Sequence, residues 1–97
     1  MDLSYRQLDS LIHQPASLSI MAALVATNEV EFATMRDTIA ISDSLLSRYT
    51  SQLEEAGYIS VRKGFVGKRP RTWLSVTEAG RKVFTEHVVA LRKIVEQ

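Results

Sequence analysis

Apolar positions in this chain keep two rhythms. Up to residue 56 they recur every three or four residues, as one helix face requires; from 58 to 76 they alternate, as a half-buried strand requires; then helical spacing returns. The pattern predicts five helices. The first runs from about Ser4 to His13, with Leu8, Leu11 and Ile12 on one face. Pro15 suits the first turn of the second, where its missing N–H costs nothing. That helix runs to about Ala26, and Leu18, Ile20, Met21, Leu24 and Val25 leave it little polar face, which places it mid-core. After a polar turn at Thr27-Asn28-Glu29, a third helix starts near Phe32 and aligns Phe32, Met35 and Ile39. A break at Ala40-Ile41 precedes Ser42, a good N-cap for a fourth helix from Asp43 to about Ala56. Gly57 fits the left-handed residue that ends it. Thr77-Glu78 opens the last helix.

Between the last two helices, Ile59 and Val61 share one strand face, opposite Tyr58, Ser60 and Arg62. Thr72, Leu74 and Val76 alternate with Arg71, Trp73 and Ser75. The segment from Gly64 to Pro70, with two glycines and a proline, reads as the long tip of a β-hairpin. Two helices joined by a short turn and followed by a hairpin make a winged helix-turn-helix. The expected fold is mostly α with a small β-hairpin, about five helices and a two- or three-stranded wing sheet, in a single domain over 1–97.

Composition narrows the function. The chain has no cysteine, which excludes disulfides and thiolate metal sites. His13 and His87 fall on different helices with no carboxylate at ligand spacing, and no serine sits in a nucleophile-elbow pattern. We therefore expect no catalytic residues, no metal and no cofactor. No run approaches the roughly 18 apolar residues of a membrane span, and the first residues lack a signal-peptide pattern. The expected location is cytoplasmic, with no membrane partner.

The net charge of +1 conceals an asymmetry. Residues 1–61 hold eight acids and three bases, a net of −5; residues 62–97 hold nine bases and three acids, a net of +6. Arg62, Lys63, Lys68, Arg69 and Arg71 fall within ten residues, with no acid from Ala56 to Thr77. Such a block attracts a polyanion even on a nearly neutral protein. The competing account is a solvated loop that serves solubility.

The fourth helix supplies the matching element. Leu46, Tyr49 and Leu53 make its buried side, while Ser44, Ser47, Arg48 and Ser51 share the opposite one at i, i+3, i+4 and i+7. Short hydroxyls let a helix backbone approach base edges in a major groove, and Arg48 can pair with guanine or clamp a phosphate. Asp43 could accept from a cytosine amino group. Serine is a mediocre helix former, so Ser42, Ser44, Ser47 and Ser51 with Thr50 are a poor choice for stability alone. The candidate DNA contacts are Ser42, Asp43, Ser44, Ser47, Arg48 and Ser51 on the helix and Lys63, Lys68, Arg69 and Arg71 on the wing. Trp73 reads as packing. Phe65 and Val66 could pack or touch sugars, and the sequence leaves both open.

On the last helix, Phe84, Val88, Leu91, Ile94 and Val95 form a stripe broader than one small core needs, and Leu8, Leu11 and Ile12 add to it. These terminal segments (about 3–13 and 77–96) are expected to pair two copies, presenting two recognition helices to a pseudo-palindromic operator. Packing on the chain's own core is the alternative.

The run from Ser42 to Tyr49, followed by Leu53-Glu54-Glu55-Ala56-Gly57-Tyr58-Ile59, resembles the recognition helix of MarR/ArsR-like winged-helix regulators. A short winged-helix DNA-binding subgroup is similar at Leu8 to Pro15, at Phe65 to Thr72, and at Leu74 to Arg81, over roughly residues 8–95. The resemblance implies a homodimer built by the terminal helices and sequence-specific contact from the fourth helix to double-stranded DNA, regulating transcription. It names no effector. Two positions depart from the pattern. Ala40 stands where glycine is usual, at about 1 kcal/mol if that residue must be left-handed, so a differently shaped turn is expected. Tyr49 stands where histidine is common. The rival function is a winged-helix protein-interaction module that does not bind DNA.

Overall fold

The computed structural model describes residue 6 and residues 8–96. Its elements are α1 (Pro15–Thr27), β1 (Glu29–Glu31), α2 (Phe32–Ile39), α3 (Asp43–Glu55), β2 (Ile59–Val66), β3 (Arg69–Val76) and α4 (Glu78–Val95). The strands form one antiparallel sheet in the order β1-β3-β2. This is a winged helix, with α2-turn-α3 as the helix-turn-helix and β2-β3 as the wing.

The nearly all-apolar α1 lies at the centre, with Ser17, Ile20, Met21 and Leu24 buried. Around it close Met35 of α2, Leu46 and Leu53 of α3, Ile59 and Leu74 from the inner sheet face, and Ile12 from the segment before α1. Strand alternation decides which sheet residues join. Val30, Val61 and Leu74 are register partners on the inner face, whereas Glu31, Arg62 and Trp73 share the outer one.

Local chemistry fixes the ends of the elements. Ser42 caps α3 by accepting from the Leu45 N–H at 3.2 Å. At the other end Gly57 sits at φ 83°, and the Tyr58 and Gly57 amides return to the Leu53 and Glu54 carbonyls, a Schellman closure. α2 also ends on a left-handed residue, Ala40 at φ 54° and ψ 52°, with the Ala40 and Ile41 amides both returning to the Arg36 carbonyl. The turn therefore keeps the left-handed shape that glycine normally fills, correcting the expectation of a different one. Thr77 caps α4 and also donates to the Gly57 carbonyl at 2.7 Å. Arg81 donates to the Val25 carbonyl and to Asn28 Oδ1, tying α4 to the end of α1.

The structure departs from expectation in three elements. Among the described residues there are four helices, because the predicted first one is absent: over residues 8–13 the chain turns, while Ser4, Tyr5 and Gln7 of that prediction lie outside the described residues. Asp9 explains the turn. Its Oδ1 accepts from the Leu11 and Ile12 amides at 2.9 and 3.0 Å, which competes with helical bonding, and Pro15 disfavours a helical Gln14. Secondly, Glu29–Glu31, of which only Glu29 was expected, at the end of a turn, is a strand on β3. Thirdly, the long wing tip is a two-residue turn: the ladder continues to Val66↔Arg69, leaving only Gly67 (φ 64°) and Lys68. A positive φ at the first turn residue alone is the type II′ signature.

The N-terminal turn is pinned to α4. The buried His87 accepts the Asp9 N–H on Nδ1 at 3.0 Å, and its Nε2 lies 3.2 Å from His13 Nδ1. The Tyr58 hydroxyl donates to Asp9 Oδ2 at 2.7 Å. Burial pulls His87 below the ordinary histidine value and the nearby His13 adds to this, against a smaller opposing pull from Asp9. Burial alone would raise Asp9, but donation from Ile12, Tyr58 and Leu11, with His87, outweighs it and holds the carboxyl below its usual range.

Candidate nucleic-acid interface

The outward side of α3 is what its spacing implied. Ser44, Ser47, Arg48 and Ser51 are exposed, as are Ser42 and Asp43 at its start. Its inward side differs in one place: Leu46, Thr50 and Leu53 are buried and Tyr49 only partly so. Thr50 escapes the cost of a buried hydroxyl by donating to the Leu46 carbonyl at 2.8 Å, so it serves the core rather than the presented face. Leu45, which the spacing did not single out, is 42% exposed beside Ser44. Its offset of three from Arg48 was the available clue.

Charge on this face is sorted by α2. Arg36 reaches Asp43 at 3.0 Å and Asp37 at 3.0 Å, and the Asp37 and Asp43 carboxylates raise its pKa further above the arginine value. Asp43 is thereby partly neutralised. Arg48 has no acidic partner among the described residues.

The five wing bases prove unequal. Arg71 pairs with Glu31 at 2.8 Å, and Arg62 meets Glu29 at 3.4 Å while stacking 4.2 Å above the Trp73 ring. The stretch from 56 to 77 has no acid of its own, but β1 brings two, so the wing is less positive than its sequence suggested. Trp73 packs, as expected, and Gly64 makes room for it: a Cβ there would lie 3.1 Å from the ring. Lys68 and Arg69 remain exposed at the turn with no acidic partner among the described residues. Lys63 is on the inner face, where it lines a cleft of about 350 Å³ between α3 and the sheet with Ser47, Ser51 and Glu54. Lys63 thus shares a cleft with Ser47 and Ser51 of α3, while Lys68 and Arg69 stand further out at the turn of the wing.

The expected dimer residues also separate. Ile12 is 0% exposed within the protomer, which removes it from any surface set, and Phe84 packs against the same core. Leu8, Leu11, Val88, Leu91 and Ile94 are half-buried, and Val95 is 80% exposed. Val89, absent from the expected set, is 43% exposed. No group of three or more His, Cys, Asp or Glu side chains able to hold a metal ion occurs among the described residues. No helix among them is long and apolar enough to cross a membrane.

Comparison with known proteins agrees with this architecture. A family model described as a winged helix DNA-binding domain matches residues 17–95. The protein MJ0432 of Methanocaldococcus jannaschii is 23% identical over 77 residues, covering 79% of this chain and 84% of that one. The structure of a transcriptional regulator homologue from Pyrococcus horikoshii OT3 superposes with a TM-score of 0.87 at 20% identity, over 95% of this chain and 92% of that one. The PcaV transcriptional regulator of Streptomyces coelicolor, solved with its natural ligand, gives 0.78 at 18% identity over 95% of this chain and 64% of that one. These likenesses show a shared winged-helix fold, the one the sequence predicted.

Proposed function

This chain belongs to the winged helix DNA-binding domain family, and from that premise we propose that it binds double-stranded DNA in a sequence-specific manner, as a homodimer, to regulate transcription. α3 enters the major groove. Arg48, Ser44, Ser47 and Ser51 face the base edges, and the Ser42 end directs free amides and the positive pole of the helix at a phosphate. The wing tip lies along the adjoining backbone or minor groove, with Lys68 and Arg69 on phosphates. Arg71, already held by Glu31, positions the hairpin more than it binds. The cytoplasm, where the DNA lies, is the proposed place of action.

One observation carries this reading. Among the described residues, Arg48 on the outward helix face and Lys68 and Arg69 at the wing tip have no acidic partner, whereas Asp43, Glu29 and Glu31 are engaged by Arg36, Arg62 and Arg71. A protein-interaction module has no need for that separation. The test is fluorescence anisotropy with a mixed-sequence duplex, titrated from low to physiological salt. Each of Arg48→Ala and Arg69→Ala is expected to weaken binding, and Arg69→Ala to lower the slope of log K against log salt by about one. Absence of binding at low salt would sink the reading in favour of a protein partner.

A further inference from the structure

The wing tip carries two apolar side chains for which the fold has no use. Phe65 is 72% exposed and Val66 56%. As strand neighbours they point to opposite faces of the hairpin. A phenylalanine left in water forgoes one of the largest burial gains available to a side chain.

Its surroundings define what it meets. Lys68 and Arg69 close the turn, and Lys63 lies two residues back on the same face. The acids Glu29 and Glu31, opposite Ser75 and Trp73, are taken up by Arg62 and Arg71. The tip is thus an apolar wedge ringed by cations. A second copy of the same tip would be repelled. A minor groove fits: two rows of phosphates flank sugar walls and base edges that welcome an apolar group.

The wedge is also rigid. The two-residue turn leaves no slack, and Pro70 is the register partner of Phe65. Val66↔Arg69, next to the turn, is a hydrogen-bonded pair, so Phe65↔Pro70 is a non-bonded one and the missing proline N–H costs the ladder nothing. Behind it, Arg62 over Trp73 and the close Gly64 stiffen the outer face. Little freedom is then lost on docking.

Resting on the DNA-binding reading above, we propose that Phe65 enters the minor groove as an apolar wedge against a base step, so that easily unstacked pyrimidine–purine steps there raise affinity. Such steps deform most readily, which gives specificity without a hydrogen bond to any base.

The experiment compares two labelled duplexes, one rich in TA and CA steps and one with those steps replaced, with 2-aminopurine reporting unstacking. The full chain is used as wild type, Phe65→Ala and Arg69→Ala. Wild type is expected to prefer the step-rich duplex by on the order of tenfold and to brighten the 2-aminopurine. Phe65→Ala loses both effects and keeps the salt slope; Arg69→Ala lowers the slope and keeps the preference. Circular dichroism should show Phe65→Ala as folded as wild type. Unchanged preference and brightening in Phe65→Ala would overturn the wedge while leaving DNA binding intact. A change in its sedimentation with unaltered DNA binding would overturn it in favour of a contact between copies. Wild type that binds neither duplex at low salt would remove the DNA reading itself, and the wedge with it.

Discussion

At the scale of single residues, the tightest constraint falls where α4 begins. Gly80 is buried, and a Cβ built there would run into the Tyr58 carbonyl, backbone that also accepts from Thr77. Alanine normally favours a helix over glycine by about 1 kcal/mol, yet here the clash outweighs that gain. Gly80→Ala is expected to destabilise by about 1–3 kcal/mol, lowering Tm by several degrees in a chain of this size; an unchanged or higher Tm would show that the contact relaxes freely. The sequence shows Gly80 only as a glycine in a helix, because the opposing carbonyl is 22 positions away in the chain. Ala40 was legible as a turn residue but not in its shape. Alanine argues against a left-handed conformation, and the α2 closure imposes one regardless. Thr50 shows the same limit. Its hydroxyl counted as polar by composition, whereas back-bonding to Leu46 makes it a core residue.

Elements were read well where their own periodicity decides them and poorly where a distant partner does. α1, α3 and the paired strands follow from spacing and caps. β1 is three residues long and exists through pairing with β3, which no local rhythm encodes. The first helix, not found over residues 8–13, is the opposite case: Leu8, Leu11 and Ile12 have helical spacing, but Asp9 turns the chain and His87 fixes it. This joint has a pH dependence whose sign follows from its donors. His87 accepts the Asp9 N–H on Nδ1, so the neutral ring carries its proton on Nε2 toward His13; a second proton would set two N–H groups against each other. The folded value thus lies below the ordinary 6.5. Between the two the unfolded chain binds more protons, so stability rises with pH. The contribution is complete above about 6.5 and is lost as pH falls through it toward the folded value. Asp9, also depressed, adds a loss in the same direction at lower pH, below the ordinary 3.8. Thermal melts should show Tm falling between about pH 7.5 and 5 in wild type, and a flatter profile in His87→Phe. Equal slopes in the two proteins would refute the assignment.

For the whole molecule, counting charge by halves overstated the positive strength of the wing. The acidic half is not elsewhere in space: Glu29 and Glu31 from it neutralise Arg62 and Arg71, leaving Lys68 and Arg69 at the tip as the uncountered pair. The apolar stripe on α4 divides similarly between the protomer and its surface. Phe84, like Leu11 before α1, is half-buried against the core, while Leu91 is half-buried and Val95 is exposed one turn further on. Leu8 and Leu11, held near α4 through the Asp9–His87 contact, are half-buried as well. A dimer built on this end would present two α3 helices to half-sites one helical turn apart, about 34 Å. Sedimentation at micromolar concentration should then give a dimer for wild type and a monomer for Val95→Glu and Leu91→Glu. Val95 contributes almost nothing to its own protomer, so a monomeric Val95→Glu with unchanged Tm separates lost association from lost folding. The same variant should lose the tighter binding that wild type gains on duplexes carrying both half-sites, while retaining its affinity for one. Wild type that sediments only as monomer would end the dimer proposal and leave a single α3 and wing to account for all DNA binding.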